Sequence, residues 1–324
     1  MQMTMIEALN NALTLELERD KRVVVFGEDI GANGGVFRVT EHLQRRFGEQ
    51  RVFDTPLAES GIIGTSIGMA VYGLRPIAEI QFAGFLYVCM NQLVAQAARV
   101  RTRSAGTQSC PLVVRAPYGG GVRTPELHSD SLEGIFMQTA GLKVVVPSNP
   151  YDAKGLLASA VADPDPVLFL ENIKLYRSFR QDTPEEHYTI PLGKANVVQE
   201  GTDVSLFAYG AMVQVAREVA KQARQQGTSV EVIDLRTVWP LDEATIAASV
   251  EKTERAIVLH EAGRAGGVGA EVTAIINERV LYSLLKPVVR VTGYDTPYPV
   301  PGQEDYYVPN VAKVLAAIQW VMEP

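Results

Sequence analysis

Cysteine is nearly absent from this chain of 324 residues, with Cys89 and Cys110 the only two. Two thiols cannot build a disulfide framework or a C-x-x-C metal site; they fit a reducing compartment, with Cys89 expected on a buried helix. No run of about 18 apolar residues occurs, so no membrane-spanning helix is expected. Positive charge is in deficit: 30 Lys and Arg stand against 37 Asp and Glu, a net charge of −7. RRFG around Arg45 and RVRTR at 99–103 are isolated clusters rather than a basic stripe, which argues against nucleic-acid binding. The spaced glycines of a dinucleotide fingerprint and the Lys-Ser/Thr pair of a P-loop are missing. So are HExxH, a nucleophile elbow and a Ser-His-Asp order. His42, His128, His187 and His260 show no ligand spacing, which argues against zinc.

What remains is a chain of ordinary globular composition, 47% hydrophobic and 21% charged, long enough for two domains. The start, MQMTMIEALNNAL, has neither a basic leader nor an apolar core, and Thr4 with Glu7 forms a capping box. The fold is therefore expected to begin almost at once, in the cytoplasm. Apolar runs then alternate with helical periodicity. VVVFGED (23–29), RPIAEIQF (75–82) and PLVVRAP (111–117) read as strands, FLYVCMNQLVAQAARVRTR from 85 as a helix, and 141–171 as a βαβ unit. Periodicity fades from about 172 to 202, and a second alternating set follows: DVSLFAYG, AMVQVAREVAKQARQQG, SVEVIDLRTV, RAIVLHE and PVVRVTG. Val-rich strands separated by helices predict an α/β protein, two domains with mostly parallel sheets covered by helices. The expected division is 1–180, a linker at 181–200, and 201–324.

One carboxylate stands out. In DTPLAESG (54–61), Glu59 lies among small and apolar residues, just ahead of IIGTSIGMAVYG, which reads as a buried, tightly packed helix. The plainest role is to complement the helix macrodipole, worth ~0.3–1 kcal/mol. His128 lies in the irregular stretch YGGGVRTPELHSDSLEG, and such loops often carry function. GANGG (31–35), YGGGV (118–122) and EAGRAGGVGAEV (261–272) read as tight turns first; the last could also seat an anion at a helix start. FAGFLYV (82–88) reads as core before it reads as a platform for a flat ligand, and VADPDPV (161–167) as a turn before a cation site on Asp163.

Several stretches together carry a resemblance: GEDIG (27–31), GGVFRVTEHL (34–43), RVFDTPLAESGIIG (51–64), GLRPIAEIQF (73–82), GLKVVVPSNPYDAKGLL (141–157), VIDLRTVWPLD (232–242) and DTPYP (295–299). In this order and spacing they resemble the β subunit of thiamine-diphosphate-dependent 2-oxo acid dehydrogenases over nearly the whole chain. The resemblance implies a transketolase-like pyrimidine-binding domain followed by a transketolase C-terminal domain. It also implies that Glu59 hydrogen-bonds the aminopyrimidine of the cofactor, sharing a proton with a ring nitrogen so that the thiazolium carbon can be activated. Phe85 would pack on that ring with Leu57 nearby, and Glu28 and Gln81 would line the same pocket. His128 would assist acyl transfer to a lipoyl group. A structural potassium ion would lie at Leu112, Ala160, Val161, Asp163 and Asp165, with Asp165 where relatives often carry Asn.

The diphosphate and its Mg2+ call for a GDG motif, and the chain has none. The resemblance assigns that half to an α subunit, in an α2β2 assembly with the active site at the α–β interface. The C-terminal domain would dock a dihydrolipoyl acyltransferase, and the acidic GQEDYY (302–307) would suit a basic partner or be a plain solvated loop. FDTPLAESGI and TPELHSDSLEGI look nearest to pyruvate dehydrogenases, an oxidoreductase reading with a lipoyl acceptor. Branched-chain 2-oxo acid and acetoin dehydrogenases share most of this text, and a non-catalytic scaffold is the alternative outside enzymes.

Overall fold

The computed structural model describes residues 1–323. Seven strands form the first sheet, in the order Thr237–Trp239, Lys143–Val145, Val167–Asn172, Val113–Tyr118, Arg75–Glu79, Val23–Gly27, Val52–Asp54. All neighbours run parallel except the first pair. Val23–Gly27 is buried at every position, because both faces of the sheet are covered. Its side chains alternate: Val23 and Val25 join the core under the helix Met5–Arg19, while Val24 and Phe26 pack with Ile62 and Ile63 on the other face. Met5–Arg19 begins at the predicted capping box, with the Thr4 hydroxyl accepting from Glu7 N (3.3 Å) and Glu7 Oε2 accepting from Thr4 N (2.7 Å). It packs against Pro150–Ala162, which Asn149 caps by accepting from Asp152 N at 2.9 Å.

Five strands form the second sheet, ordered Val289–Val291, Ala256–Leu259, Val204–Ala208, Val230–Asp234, Asn196–Gln199, of which only the last is antiparallel to its neighbour. The two mostly parallel, helix-covered sheets are those the alternation predicts.

Four features differ from the reading of the sequence. SVEVIDLRTV is two strands rather than one. Val230–Asp234 stays in the second sheet, Arg236 turns the chain with φ 58°, and Thr237–Trp239 crosses to the edge of the first sheet. The corner is tied down: Asp234 accepts from Arg236 N (3.0 Å) and from the Ser148 hydroxyl, and the Arg236 guanidinium grips Asp152 at 2.6 and 2.9 Å. The low-periodicity segment also holds Gln181–Asp182, paired with Gln2–Met3, and the edge strand Asn196–Gln199.

The run from 85 is not one α-helix. It breaks into 3-10 turns at Ala83–Tyr87 and Ala97–Arg99, a π turn at Asn91–Gln96 and a short α-helix at Val100–Arg103. Two of its carbonyls are drawn out of the helical ladder: Val88 O accepts from the Ser60 hydroxyl (2.6 Å) and Ala95 O from Arg103 Nη2 (2.7 Å).

The helix Glu59–Val71 buries only Ile62, Ile63, Ser66 and Ala70. Gly61, Gly64, Thr65 and Gly68 face outward, so of its small residues only Ser66 and Ala70 pack inside this chain among those the helix buries.

Candidate active site

Adjacent parallel strands release their chains at the same edge of the sheet, and in such sheets the crevice at the carboxyl ends is where ligands bind. Glu28 follows Val23–Gly27, Gln81 follows Arg75–Glu79, and the loop holding His128 follows Val113–Tyr118, three neighbouring strands. Glu59 is the first residue of its helix and is brought to this edge by the Ser60–Val88 hydrogen bond, which fixes the helix start on the turn carrying Phe85. Beside the helix start lies an apolar cleft of about 260 Å³ lined by Phe26, Phe53, Thr55, Ala58, Ile62 and Thr65.

Glu28 is the unusual group. It is buried, and neither carboxylate oxygen has a hydrogen-bond partner. Burial, then the charges of Glu59 and Asp29, push its pKa from 4.5 up to about 7. Glu59 also acts on Cys89, whose buried thiol is pushed to about 12, chiefly by burial and secondarily by that carboxylate, which leaves it inert.

A carboxyl whose pKa rises on folding binds more protons in the native state between about 4.5 and 7, so its contribution to stability falls as pH rises through that window. Glu28→Gln removes this penalty. The variant's thermal midpoint is expected to match the unmodified chain near pH 5 and to exceed it at pH 8; parallel curves at both pH values would show that Glu28 is not the group concerned.

His128 packs on Phe82 and Phe85, with ring centroids 4.2 and 5.3 Å away. Its Nδ1 lies 2.7 Å from Glu126 O. A carbonyl can only accept, so Nδ1 carries the proton and Nε2 is the free nitrogen. The loop comes this close because residue 84 is glycine: a Cβ there would run into the Leu127 carbonyl. Phe82 is buried and Phe85 half-buried, so the stripe is core at one end and an accessible ring at the other. Gln81 donates to Asp29 Oδ2 at 3.0 Å. Leu57, 80% exposed, stands in solvent at the rim.

Beneath the site lies a network that the motifs did not reveal. Arg115, fully buried, binds Glu171 through Nε and Nη2 (both 2.7 Å) and Glu79 through Nη1 (2.6 Å), and Tyr176 donates to Glu171 at 2.7 Å. A signal for it exists in the sequence: Glu79, Arg115 and Glu171 are each the one charged residue of the apolar runs PIAEIQF (76–82), PLVVRAP (111–117) and VLFLE (167–171).

The glycine-rich loops are filled from within. Gly31 N donates to Asp54 (2.6 Å), Gly120 N to Glu261 (2.9 Å), and Gly121 N to Glu304 (2.7 Å). At the start of the helix Val268–Val280, Gly269 N donates to Nε2 of His260 at 3.2 Å, while Nδ1 of that ring donates to Ala262 O. Burial lowers His260 to about 4, so it stays neutral and no anion seat is needed there. Glu304 is buried and also accepts from Arg123 N and the Tyr298 hydroxyl, so it points into the fold rather than toward a partner, while Asp305 and Tyr306 remain exposed. Glu261 and Glu304 thus hold the loop that leads to His128 from the second half of the chain.

Leu112, Ala160, Val161, Asp163 and Asp165 do come together, at the opposite, amino-terminal edge of the same sheet. Oxygens of Val161, Asp163 and Asp165 are engaged by Arg75, Arg101 and Lys143, whereas Leu112 O and Ala160 O accept from backbone N–H groups.

Residues 1–178 match the family described as transketolase, pyrimidine binding domain, and residues 193–314 the family described as transketolase, C-terminal domain. A solved structure titled "Split gene transketolase, inactive beta4 tetramer" superimposes with a TM-score of 0.79, covering 99% of this chain and 98% of the other at 21% identity, a likeness of fold. These matches define a two-domain protein of the transketolase type. Pyruvate dehydrogenase E1 component subunit beta of Staphylococcus epidermidis is 56% identical over 322 residues, 99% of each chain, and the Staphylococcus aureus protein of that name is similar to the same extent. The chain belongs to the family of pyruvate dehydrogenase E1 β subunits.

Proposed function

We propose that this chain, with an α subunit, decarboxylates pyruvate on thiamine diphosphate and passes the acetyl group to the lipoyl group of a dihydrolipoyl acyltransferase. The observation that carries this reading is a pair of carboxyls at the carboxyl ends of the strands: Glu59 at a helix start, and Glu28 buried behind it with both oxygens unpartnered. A buried polar group without a partner costs free energy, so the arrangement fits a site completed by a polar ligand.

The pyrimidine half of the cofactor fits these residues, with Phe85 presenting a ring face and Leu57 the rim. When bound, thiamine diphosphate supplies the nucleophilic carbon and the electron sink for loss of carbon dioxide. Glu59 would hold a proton at a ring nitrogen. Glu28, neutral over much of the pH range below 7, would keep a second negative charge away from it. Gln81 would steady Asp29 beside them, and His128 would use Nε2 to deliver or remove a proton at the transferring acyl group.

The α subunit would hold the diphosphate and Mg2+. In support, Gly31, Gly120 and Gly121 in the glycine loops of this chain spend their N–H groups on internal acceptors. The outward face of Gly61, Gly64 and Gly68, where a Cβ at Gly68 would meet nothing within 4 Å, suits close approach of another subunit in an α2β2 assembly. Among the described residues no helix is long and apolar enough to cross a membrane.

The test is reconstitution with the cognate α subunit, thiamine diphosphate and Mg2+, comparing pyruvate, 3-methyl-2-oxobutanoate and acetoin by kcat/KM with an artificial electron acceptor. Pyruvate is expected to lead. One or two methylenes discriminate by only ~1–3 kcal/mol each, so a leading branched-chain acid or acetoin would move the reading to that substrate. No turnover of any of them by an assembled heterotetramer would favour the scaffold. His128→Asn, assayed both ways, is expected to keep decarboxylation with the artificial acceptor and to lose acetylation of the lipoyl domain by about 10²-fold or more. Equal losses in the two assays would remove His128 from the transfer step.

A further inference from the structure

The family resemblance brings a potassium ion to the turn that ends the helix Pro150–Ala162, and the atoms there do not fit one. Arg75 Nη1 sits 2.6 Å from Val161 O and 3.4 Å from Asp163 O, so its guanidinium already occupies the space between two of the carbonyls that would ligate the ion. Lys143 Nζ lies 2.8 Å from Asp163 Oδ1 and 4.0 Å from Asp165 Oδ2, and Arg101 Nε lies 2.7 Å from Asp165 Oδ1. The other two carbonyls serve the backbone: Leu112 O accepts from Val167 N (2.9 Å) and Ala160 O from Asp163 N (3.3 Å). Charge runs the same way. Three side-chain cations, Arg75, Arg101 and Lys143, face two carboxylates, Asp163 and Asp165. The next pair out, Asp20 and Arg22, adds one charge of each sign and leaves the balance positive. An entering monovalent cation would meet a net positive cluster and would have to displace the Arg75 guanidinium.

We infer that this turn is closed by cations of the chain's own side chains, so that the fold needs no potassium. A guanidinium suits this role because it is permanently charged, weakly hydrated, and presents several N–H donors in a fixed plane, so one side chain satisfies two carbonyls and is never lost by dilution. Lys143 and Arg101 then each pair with one of the two turn carboxylates. Asp165 is central to this arrangement, because as a carboxylate it takes Arg101 in a charge-assisted hydrogen bond that an amide would make more weakly.

The inference is independent of the substrate and of the catalytic roles proposed above, and its test does not read activity. The assembled component is unfolded thermally in potassium, sodium and choline chloride at equal ionic strength, and crystals are soaked in thallium(I), a heavy stand-in for potassium. The expected result is one midpoint in all three salts and no anomalous peak between Val161 O and Asp163 O. A rise specific to potassium, or a thallium peak at that position, would overturn the inference. Arg75→Met, which vacates the space, is expected to have a lower midpoint that potassium restores in part and choline does not. Arg101→Gln serves as the second variant if Arg75→Met does not fold; there the expectation is a lowered midpoint equally insensitive to the choice of cation, since Arg75 is still in place.

Discussion

Glu59→Gln is expected to slow decarboxylation by the reconstituted component by about 10²–10⁴-fold, the range for losing a positioned acid–base group, and to leave folding almost untouched. The asymmetry follows from where Glu59 sits. It opens the helix Glu59–Val71 without a side-chain cap and pairs with no cation among the described residues, so the favourable contribution of its charge within the fold is to the helix dipole, ~0.3–1 kcal/mol. Gln keeps the shape and the hydrogen-bonding reach but cannot exchange a proton. The pertinent comparison is turnover with an artificial acceptor beside the thermal midpoint of the same preparation. A loss of turnover matched by a large fall in the midpoint would make Glu59 a structural residue, and near-normal turnover would remove it from catalysis altogether. Because Glu59 raises the pKa of Glu28, the substitution should also lower that group's midpoint, narrowing the pH window over which Glu28 is neutral.

The alternation of apolar runs and helical periods made the two-domain α/β organisation legible, since strands buried on both faces read as near-continuous Val-rich text. The crossing of Thr237–Trp239 to the first sheet was not legible: the same residues would suit either sheet, and the choice is made by Ser148 and Asp152, distant in sequence, which anchor the corner. Small residues on Glu59–Val71 announced close packing but could not say whether the neighbour is this chain or another, and here that face is open. GEDIG announced two adjacent acids without saying which is buried; Glu28 turns inward and Asp29, at φ 57°, turns to Gln81. Glu304 was hidden for a similar reason. Its neighbours are exposed, and besides the nearby Tyr298 hydroxyl its carboxylate is held by the Gly121 and Arg123 backbone, which approaches from the first half of the chain. For the pocket, helical spacing and glycine counts left Glu59 and His128 as loose candidates; the family text is what grouped them, and the shared edge of three strands is the physical reason they can meet.

Arg115→Met should be the most destabilising single change near the site, by about 3–5 kcal/mol, because it leaves Glu79 and Glu171 buried without their partner. Both carboxylates are essentially inaccessible, and Arg115 answers them with three hydrogen bonds of 2.6–2.7 Å. Burial works against its charge, yet the attraction of Glu171 and Glu79 prevails and holds it firmly protonated. Glu79 itself is pushed upward by burial against the pull of Arg115, so once the guanidinium is gone it is the group that would take up a proton. The loss should therefore be smaller at acidic pH than at pH 8, and the triple variant Arg115→Met, Glu79→Gln, Glu171→Gln should recover part of it, since removing a whole buried ionic cluster costs less than breaking one. Urea unfolding at the two pH values distinguishes these cases. A loss below about 1 kcal/mol, the range of an exposed ion pair, would mean that water reaches the cluster. The position of the cluster ties this stability term to function: Glu79 ends the strand Arg75–Glu79, two residues before Gln81 and three before Phe82, on which His128 packs. A variant that folds but lets this strand end shift should therefore lose lipoyl acetylation before it loses its secondary structure, because Phe82 sets the ring of His128 whereas the strand's hydrogen bonds to Val23–Gly27 and Val113–Tyr118 are untouched.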